Sequence, residues 1–506
     1  MNRKIITLTV LGVVLSALLV SMFRIPKVSG TITIQPDGTI DPPTASITTA
    51  DNILYTFTGN VNDSIVIQRD GIILDGLGYN LTGSGTGYGI ELNNRNNVTI
   101  QNIVISNFSS GIVLRSSADC NVTGNEIVAC PTAGVVIRDT SHHMDVRGNT
   151  IVNSSNALRI FDSTFINITG NLLTSFDYGV YFYQSSNCSV VDNQIICERA
   201  DDKYGVYIRN SYDNIVFHNN ITEAQAGIYI YYSSRNSIQN NSITSCGSGQ
   251  DGGGVWIYNG DLNTIHGNHI SENRWHGINL YRSPNTTITE NLIDDNSNRG
   301  IMLRDQSDFS QVIDNDIISN YYGIEVDGTH HTIIDKNNLT DNQYHGITLE
   351  YSSNNTISSN YVSGNSPGVS IGNIGYNNLT GNTIINNGWG LSFGSTSHNY
   401  LADNYVAHNL IGITLQQTWN NTLRNNTLTN NTHNFRLLSS SLQNFINDVD
   451  ESNTVEGKPI YYWIDKHDTT VPLDAGCVIL VNCSNMTIQN LNISCNNWQG
   501  VFLIQT

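Results

Sequence analysis

A four-residue phrase, glycine, aliphatic, any residue, aliphatic, returns about every 23 residues through most of this chain, and such a period means one small unit stacked on itself. It stands at Gly89–Leu92, Gly111–Leu114, Gly134–Ile137, Gly179–Phe182 and Gly205–Ile208, then without interruption from Gly227–Ile230 to Gly412–Leu415. Asn156 and Asn434 read as replacements for the glycine in two further copies. A second phrase keeps step with the first: aliphatic, two residues, asparagine, one residue, aliphatic, as in Val122, Asn125, Ile127 and again Ile238, Asn241, Ile243. Its asparagine persists in every copy from Asn125 to Asn426.

Within each phrase aliphatics alternate with other residues, the period of a strand with one buried face. No window has helical spacing over helical length. A unit this short cannot bury its apolar face alone, but coiling it so that each strand pairs with its counterpart one turn later can. The expected fold is therefore all-β, a right-handed single-stranded parallel β-helix of about 16 or more coils of roughly 22–23 residues. Leucine-rich repeats share the period but need a leucine framework and helical returns, whereas these returns are Asn, Ser, Asp and Gly. The asparagine column reads as a ladder at a bend, because Asn tolerates left-handed backbone and stacked amides can bond from coil to coil. A row of ligand-binding amides is the functional alternative. The glycine likewise reads as serving a bend, since no phosphate-binding glycine pattern precedes a helix.

Residues 1–29 hold Arg3 and Lys4, an apolar run from Ile5 to Phe23, then Arg24 and Lys27. This is the pattern of a signal peptide or signal anchor, which puts the rest outside the cytoplasm, secreted or membrane-anchored at the cell surface. Residues 30–85 are expected to form an N-terminal cap and irregular coils, 86–438 the regular helix, and 439–475 an inserted loop or hairpin around Gly457–Ile464. Residues 476–506 read as a resumed and truncated coil, because Met486–Leu491 repeats Val98–Ile103 almost residue for residue. A net charge of −19 with 13% charged residues argues against a nucleic-acid partner. The 8 cysteines show no CxxC and no zinc spacing; an oxidising compartment would let some pair while others fill core positions.

The segment Ile72–Gly78, the repeated phrases, and Asn453–Pro459 running into Tyr461, Tyr462 and Trp463 carry a resemblance. Over residues 60–506 the chain resembles the NosD-type family of periplasmic and extracellular right-handed β-helices, within the wider group of carbohydrate-binding and sugar-hydrolase repeat proteins. The resemblance implies an extracytoplasmic β-helix and, through the family's name, a copper-handling accessory role. Copper(I) favours Met and Cys, copper(II) His. The richest local candidates are His142, His143 and Met144, and His330 with His331. Neighbours in a strand point to opposite faces, so neither pair chelates unless it lies in a loop. The residues themselves call for no cofactor; copper and calcium remain the options.

Counting from each phrase glycine, the first and third following residues should face the core and the second and fourth the solvent. The outward set then includes Tyr181, Tyr183, Tyr207, Arg209, Tyr229, Tyr231, Trp256, Tyr258 and Tyr281, with Asn279 and Met302 between aromatic and charged positions. These aromatics form either a stabilising cross-strand ladder or a platform that binds sugar rings. Beside them Arg304, Asp327 and Glu350 should stack on successive coils, with His276, Arg299 and His345 just before their strands. Two carboxylates about 5 Å apart could act as acid and nucleophile of a retaining glycosidase. They could also bridge calcium, or form a solvated charged face. The Asp-His ending of pectate lyase strands, the Gly-His-Gly of galacturonases and the Asp-Pro-His-Glu of alginate epimerases are all missing. The leading expectation is a non-catalytic β-helix that binds polysaccharide or glycoprotein glycans or scaffolds the cell envelope. A polysaccharide hydrolase or lyase using the acidic stripe comes second, and a copper-handling accessory protein third.

Overall fold

Each repeat folds into three short strands separated by bends. In one coil Arg299–Arg304 is the long strand, Gln311–Ile313 the second and Asp316–Ile318 the third, before the chain returns as Tyr322–Asp327. Every strand pairs in parallel with its counterpart one turn on, through Ile301 with Ile324, Val312 with Ile334 and Ile317 with Leu339. The inward residues Ile301, Leu303, Val312 and Ile317 are fully buried. The fold is an all-β, right-handed parallel solenoid of about 19 turns. The computed structural model describes residues 30–198, 202–247, 252–493 and 496–505; the apolar segment within 1–29 and Cys495 lie outside them.

The chain divides into two units, Met1–Ala224 and Gln225–Thr506. In the first, antiparallel pairs join Thr31–Ile34 to Ile40–Asp41 and Ile47–Thr49 to Leu54–Phe57, and Thr31–Ile34 also pairs in parallel with Ser64–Ile67. In the second, Asp448–Val449 and Thr454–Val455 pair in parallel with the coil before them. The chain then reverses at Glu456 and Gly457 into Lys458–Ile464, antiparallel to Thr454–Val455. Lys458–Ile464, Cys477–Val481 and Val501–Ile504 form a parallel set over a core of Tyr461, Trp463, Val478 and Leu480.

The asparagine column is a buried ladder. The side-chain oxygen of Asn315 accepts from both the backbone and side-chain N–H of Asn291, at 3.0 and 2.9 Å. The Asn315 amide donates in turn to the Asn337 oxygen and to the carbonyls of Ile288 and Ile313. With every amide so engaged, the column has nothing left for a ligand. The expected left-handed backbone falls one residue earlier, on Asp314 and Lys336, with φ of 54° and 56°. The reason is a division of labour: the bend needs only a tolerant backbone, while the buried position needs an amide that both donates and accepts.

The phrase glycines also differ from their expected role. Most sit inside the long strands, with Gly346 and Gly368 just before theirs, and those described lack left-handed φ. A side chain at Gly277 would meet the Gly300 carbonyl at 2.6 Å and Ile293 at 2.7 Å, so the glycine permits close coil-to-coil approach rather than a turn. The strand register also moves one assignment: Ala133 pairs with Asn156, so Ala157, not Asn156, stands at the glycine position of that coil. Asn434 does hold it, since Ile411 pairs with His433. Cys120, Cys130, Cys188 and Cys483 are buried thiols rather than disulfides. Burial raises the first three to about 11, about 11 and about 12.

Candidate functional site

The outer side of the long-strand sheet carries nearly all the candidate residues. Alternation works as expected on the inner side, where Val180, Phe182, Ile278 and Leu280 are buried. On the outer side, Tyr229, Asn279, Met302 and Thr348 are buried as well, with Asn279 only 1% exposed. They face outward but are covered by side chains on adjacent coils, as Asn279 is between Trp256 and Met302, which strand spacing of about 4.8 Å makes possible.

In the first unit Tyr181 stacks on Tyr207 at 5.0 Å and Tyr178 on Tyr204 at 5.7 Å. The Arg209 guanidinium lies over Tyr183 and that of Arg159 over Phe161, at 5.6 and 4.2 Å. Burial pushes the Tyr178 and Tyr207 phenols upward. In the second unit Tyr229 stacks on Trp256 at 4.4 Å, and Tyr231, Tyr258 and Tyr281 form a continuous stack at 5.2 and 4.9 Å. Arg304 caps that stack, 5.1 Å from the Tyr281 centroid. The ring faces are therefore largely spent on each other, and the partly exposed rings of Tyr258 and Tyr281 show their edges to solvent. Tyr178 and Tyr204 escaped the sequence reading because they precede the phrase glycine. That position begins the long strand, so a side chain there also belongs to this face.

Next to the second stack lies a polar cluster. Arg304, Asp327 and Glu350 are in register on successive strands, as are Met302, Glu325 and Thr348. Arg299 donates from Nε to Glu325 at 2.7 Å, and its guanidinium lies over Tyr322. Burial, then repulsion from Glu325 and Asp305, raises the Asp327 carboxyl against the pull of Arg304 and Arg299. Glu350 is raised mainly by burial, opposed by the hydrogen bond it accepts from Asn373 at 2.5 Å. Both carboxylates remain half exposed. His276, 5% exposed, is held down to about 3 by burial and by Arg299 and Arg304, and its Nδ1 has no hydrogen-bond partner. His345 is held to about 4 by burial. Both side-chain atoms of Asn279 and the indole N–H groups of Trp256 and Trp275 are likewise buried without partners.

A neutral buried His276 makes stability depend on pH. The unfolded chain binds a proton here below about pH 6.5, while the folded chain resists until about 3, so stability falls as pH drops through that window. Between pH 7 and 5 we expect this residue to cost about 2 kcal/mol, and His276→Gln to unfold with a correspondingly flatter pH profile. Parallel profiles for the two proteins in chemical denaturation would show that His276 titrates normally.

For copper, the histidine pairs do not supply a site. His142 and His143 are both exposed, their rings edge-on at 5.1 Å, but Met144 points into the core at 1% exposure. The ring of His143 stacks on Phe165 and that of His331 on Phe309. His330 Nδ1 is engaged with the Ser353 hydroxyl. Among the described residues no three His, Cys, Asp or Glu side chains converge to hold a metal ion. The residues present thus do not fit a copper centre, and calcium has no fuller donor set at Asp327 and Glu350.

No curated protein matches the chain at a significant level. Among solved structures it is similar to the periplasmic alginate epimerase AlgG, at 13% identity over 91% of this chain and 84% of that one, with a TM-score of 0.32. It is also similar to the mannuronan C-5 epimerase AlgE4 A-module of Azotobacter vinelandii, at 11% identity over 66% and 88%, TM-score 0.34. A third is the alginate lyase of Paenibacillus sp. str. FPU-7, at 15% over 46% and 87%, TM-score 0.31. Residues 197–325 match the right-handed β-helix region family. Residues 34–199, 137–251 and 305–463 match the periplasmic copper-binding protein (NosD) family and together span well over half the sequence. With its repeats, its solenoid and these family matches in agreement, the chain belongs to the NosD family of right-handed β-helix proteins.

Proposed function

We propose that this is an extracytoplasmic glycan-binding β-helix whose binding surface is the outer side of the long-strand sheet. The observation that carries this reading is the line of partly exposed aromatic side chains there, Trp256, Tyr258 and Tyr281. Their rings give a sugar an apolar surface to rest on, and a ligand rich in hydroxyls can both donate to and accept from the polar side chains beside them. The family's periplasmic description supports a location where envelope polysaccharides or glycoprotein glycans would be the partners. A binding role suits the face better than catalysis, since general acid and base groups work best where water is excluded and Asp327 and Glu350 stay half exposed.

Glycan-array binding by the full chain tests this. We expect selective binding that falls at least tenfold in Tyr258→Ala and in the double variant Tyr229→Ala/Trp256→Ala. An array with no bound glycan, with stability lost in the double variant, would reduce the aromatics to a structural ladder. Cleavage of a bound polymer that disappears in Asp327→Ala would instead make the chain a polysaccharide hydrolase or lyase.

A further inference from the structure

The first unit carries a feature of its own on the outer side of its long strands, a hollow of about 410 Å³ lined by Arg138, Arg159, Phe161, Tyr181, Tyr183 and Arg209 with Asp139 and Asp162 at its edge. Strand register explains how it forms. Arg115 pairs with Arg138, Val136 with Arg159, Arg159 with Tyr181, Phe161 with Tyr183, and Tyr183 with Arg209. Four arginines thus fall within five successive strands, on a chain whose net charge is −19. The second outward column beside Arg115 and Arg138 holds only the short side chains Val113 and Val136.

Of these, Arg115, Arg138 and Arg159 are incompletely neutralised. Arg115 meets Glu91 at 3.7 Å and Arg138 meets its chain neighbour Asp139 at 3.4 Å, both too long for good charged hydrogen bonds. Among the described residues Arg159 has no carboxylate within ion-pair distance; it rests on Phe161, and its Nε is buried without a partner. Burial disfavours its charged form, opposed by the Tyr181 phenol and aided to a smaller extent by the charge of Arg138. A half-buried guanidinium crowded by another is unfavourable unless an anion arrives, and its planar donors match a carboxylate or sulfate.

Resting on the glycan-binding reading above, we infer that this part of the face takes a linear acidic polysaccharide, its carboxylate or sulfate groups seated on Arg115, Arg138, Arg159 and Arg209 and its rings against Phe161, Tyr181 and Tyr183. Neighbouring strands lie about 4.8 Å apart, close to the rise of one sugar unit in an extended chain, so arginines one or two strands apart suit an anion on every ring or every second ring.

The test is calorimetric titration of the full chain with a polyuronate, the same polymer after carboxyl reduction, and a sulfated glucan. We expect an anionic polymer to bind, the neutral one to bind at least tenfold more weakly, and affinity to fall steeply with salt. Which of the two anionic polymers binds more tightly identifies the charged group. Arg159→Gln, and independently Arg138→Gln, should each weaken binding about tenfold with an unchanged unfolding midpoint, whereas the exposed control Lys336→Gln should not. Equal binding of charged and neutral polymers, or full affinity in both arginine variants, overturns the inference while leaving glycan binding intact. Failure of every polymer here, together with an empty glycan array, overturns both.

Discussion

Asn315→Ala should lower the stability of its coil by about 2–4 kcal/mol, although it removes a small side chain that touches no candidate site. Two buried groups lose partners at once: the Asn291 backbone N–H, which donates to the Asn315 oxygen, and the Ile288 carbonyl, which accepts from its amide. Neither can turn to water, because Asn291 and Asn315 are each 1% exposed. Exposed Gln343→Ala is the contrast, expected within about 0.5 kcal/mol. Stacked repeats need not unfold as one unit, so the measurement is hydrogen exchange of the amides in the Gln311–Ile313 and neighbouring strands. Equal protection in the two variants would mean that the ladder ornaments the fold without supporting it. Ladder residues nearer a chain end should show smaller effects, since fewer coils depend on them.

Gly254→Ala should cost about 2–3 kcal/mol, the range of an overpacked core. The added methyl would lie 2.4 Å from Ile270 and 2.6 Å from the Gly277 carbonyl, and one of those must yield. Moving the carbonyl breaks the parallel ladder between Gly253–Tyr258 and His276–Tyr281, and moving Ile270 disturbs a fully buried side chain. Gly394→Ala provides the matched control: its methyl would meet nothing within 4 Å and its backbone is not left-handed. That substitution should be neutral or stabilise slightly by restricting the unfolded chain. Comparable unfolding curves for the two variants would refute the close-approach role of the phrase glycine. Because Trp256 and Tyr281 sit on the two strands forced apart, Gly254→Ala should also weaken glycan binding.

The solenoid was legible because its signal repeats. A period of aliphatics identifies the buried face of each strand, and one copy corrects another. Two further asparagine columns were equally present in the letters yet went unread. One runs through Asn273, Asn296, Asn320 and Asn342 at the bend before the long strand, and the other through Asn355, Asn377 and Asn399 before the second strand. They follow the first column at a constant offset, so the same count would have found them. The stacking of Arg304, Asp327 and Glu350 followed directly from the register. The burial of Asn279 did not, because it depends on the sizes of Trp256 and Met302 on neighbouring coils rather than on its own place in the phrase.

The sequence by itself determined the coil, its inward and outward positions, and which residues share a column, since all three follow from a period and the two-sided geometry of a strand. Only the tertiary structure decided what those columns do. Rings about 5 Å apart stack on each other and use up their faces, His276 and Asn279 are sealed under larger neighbours, and arginines from separate coils gather around one hollow. Such outcomes depend on side-chain size and rotamer across coils more than 20 residues apart in sequence, a distance over which a repeating phrase records position but not contact.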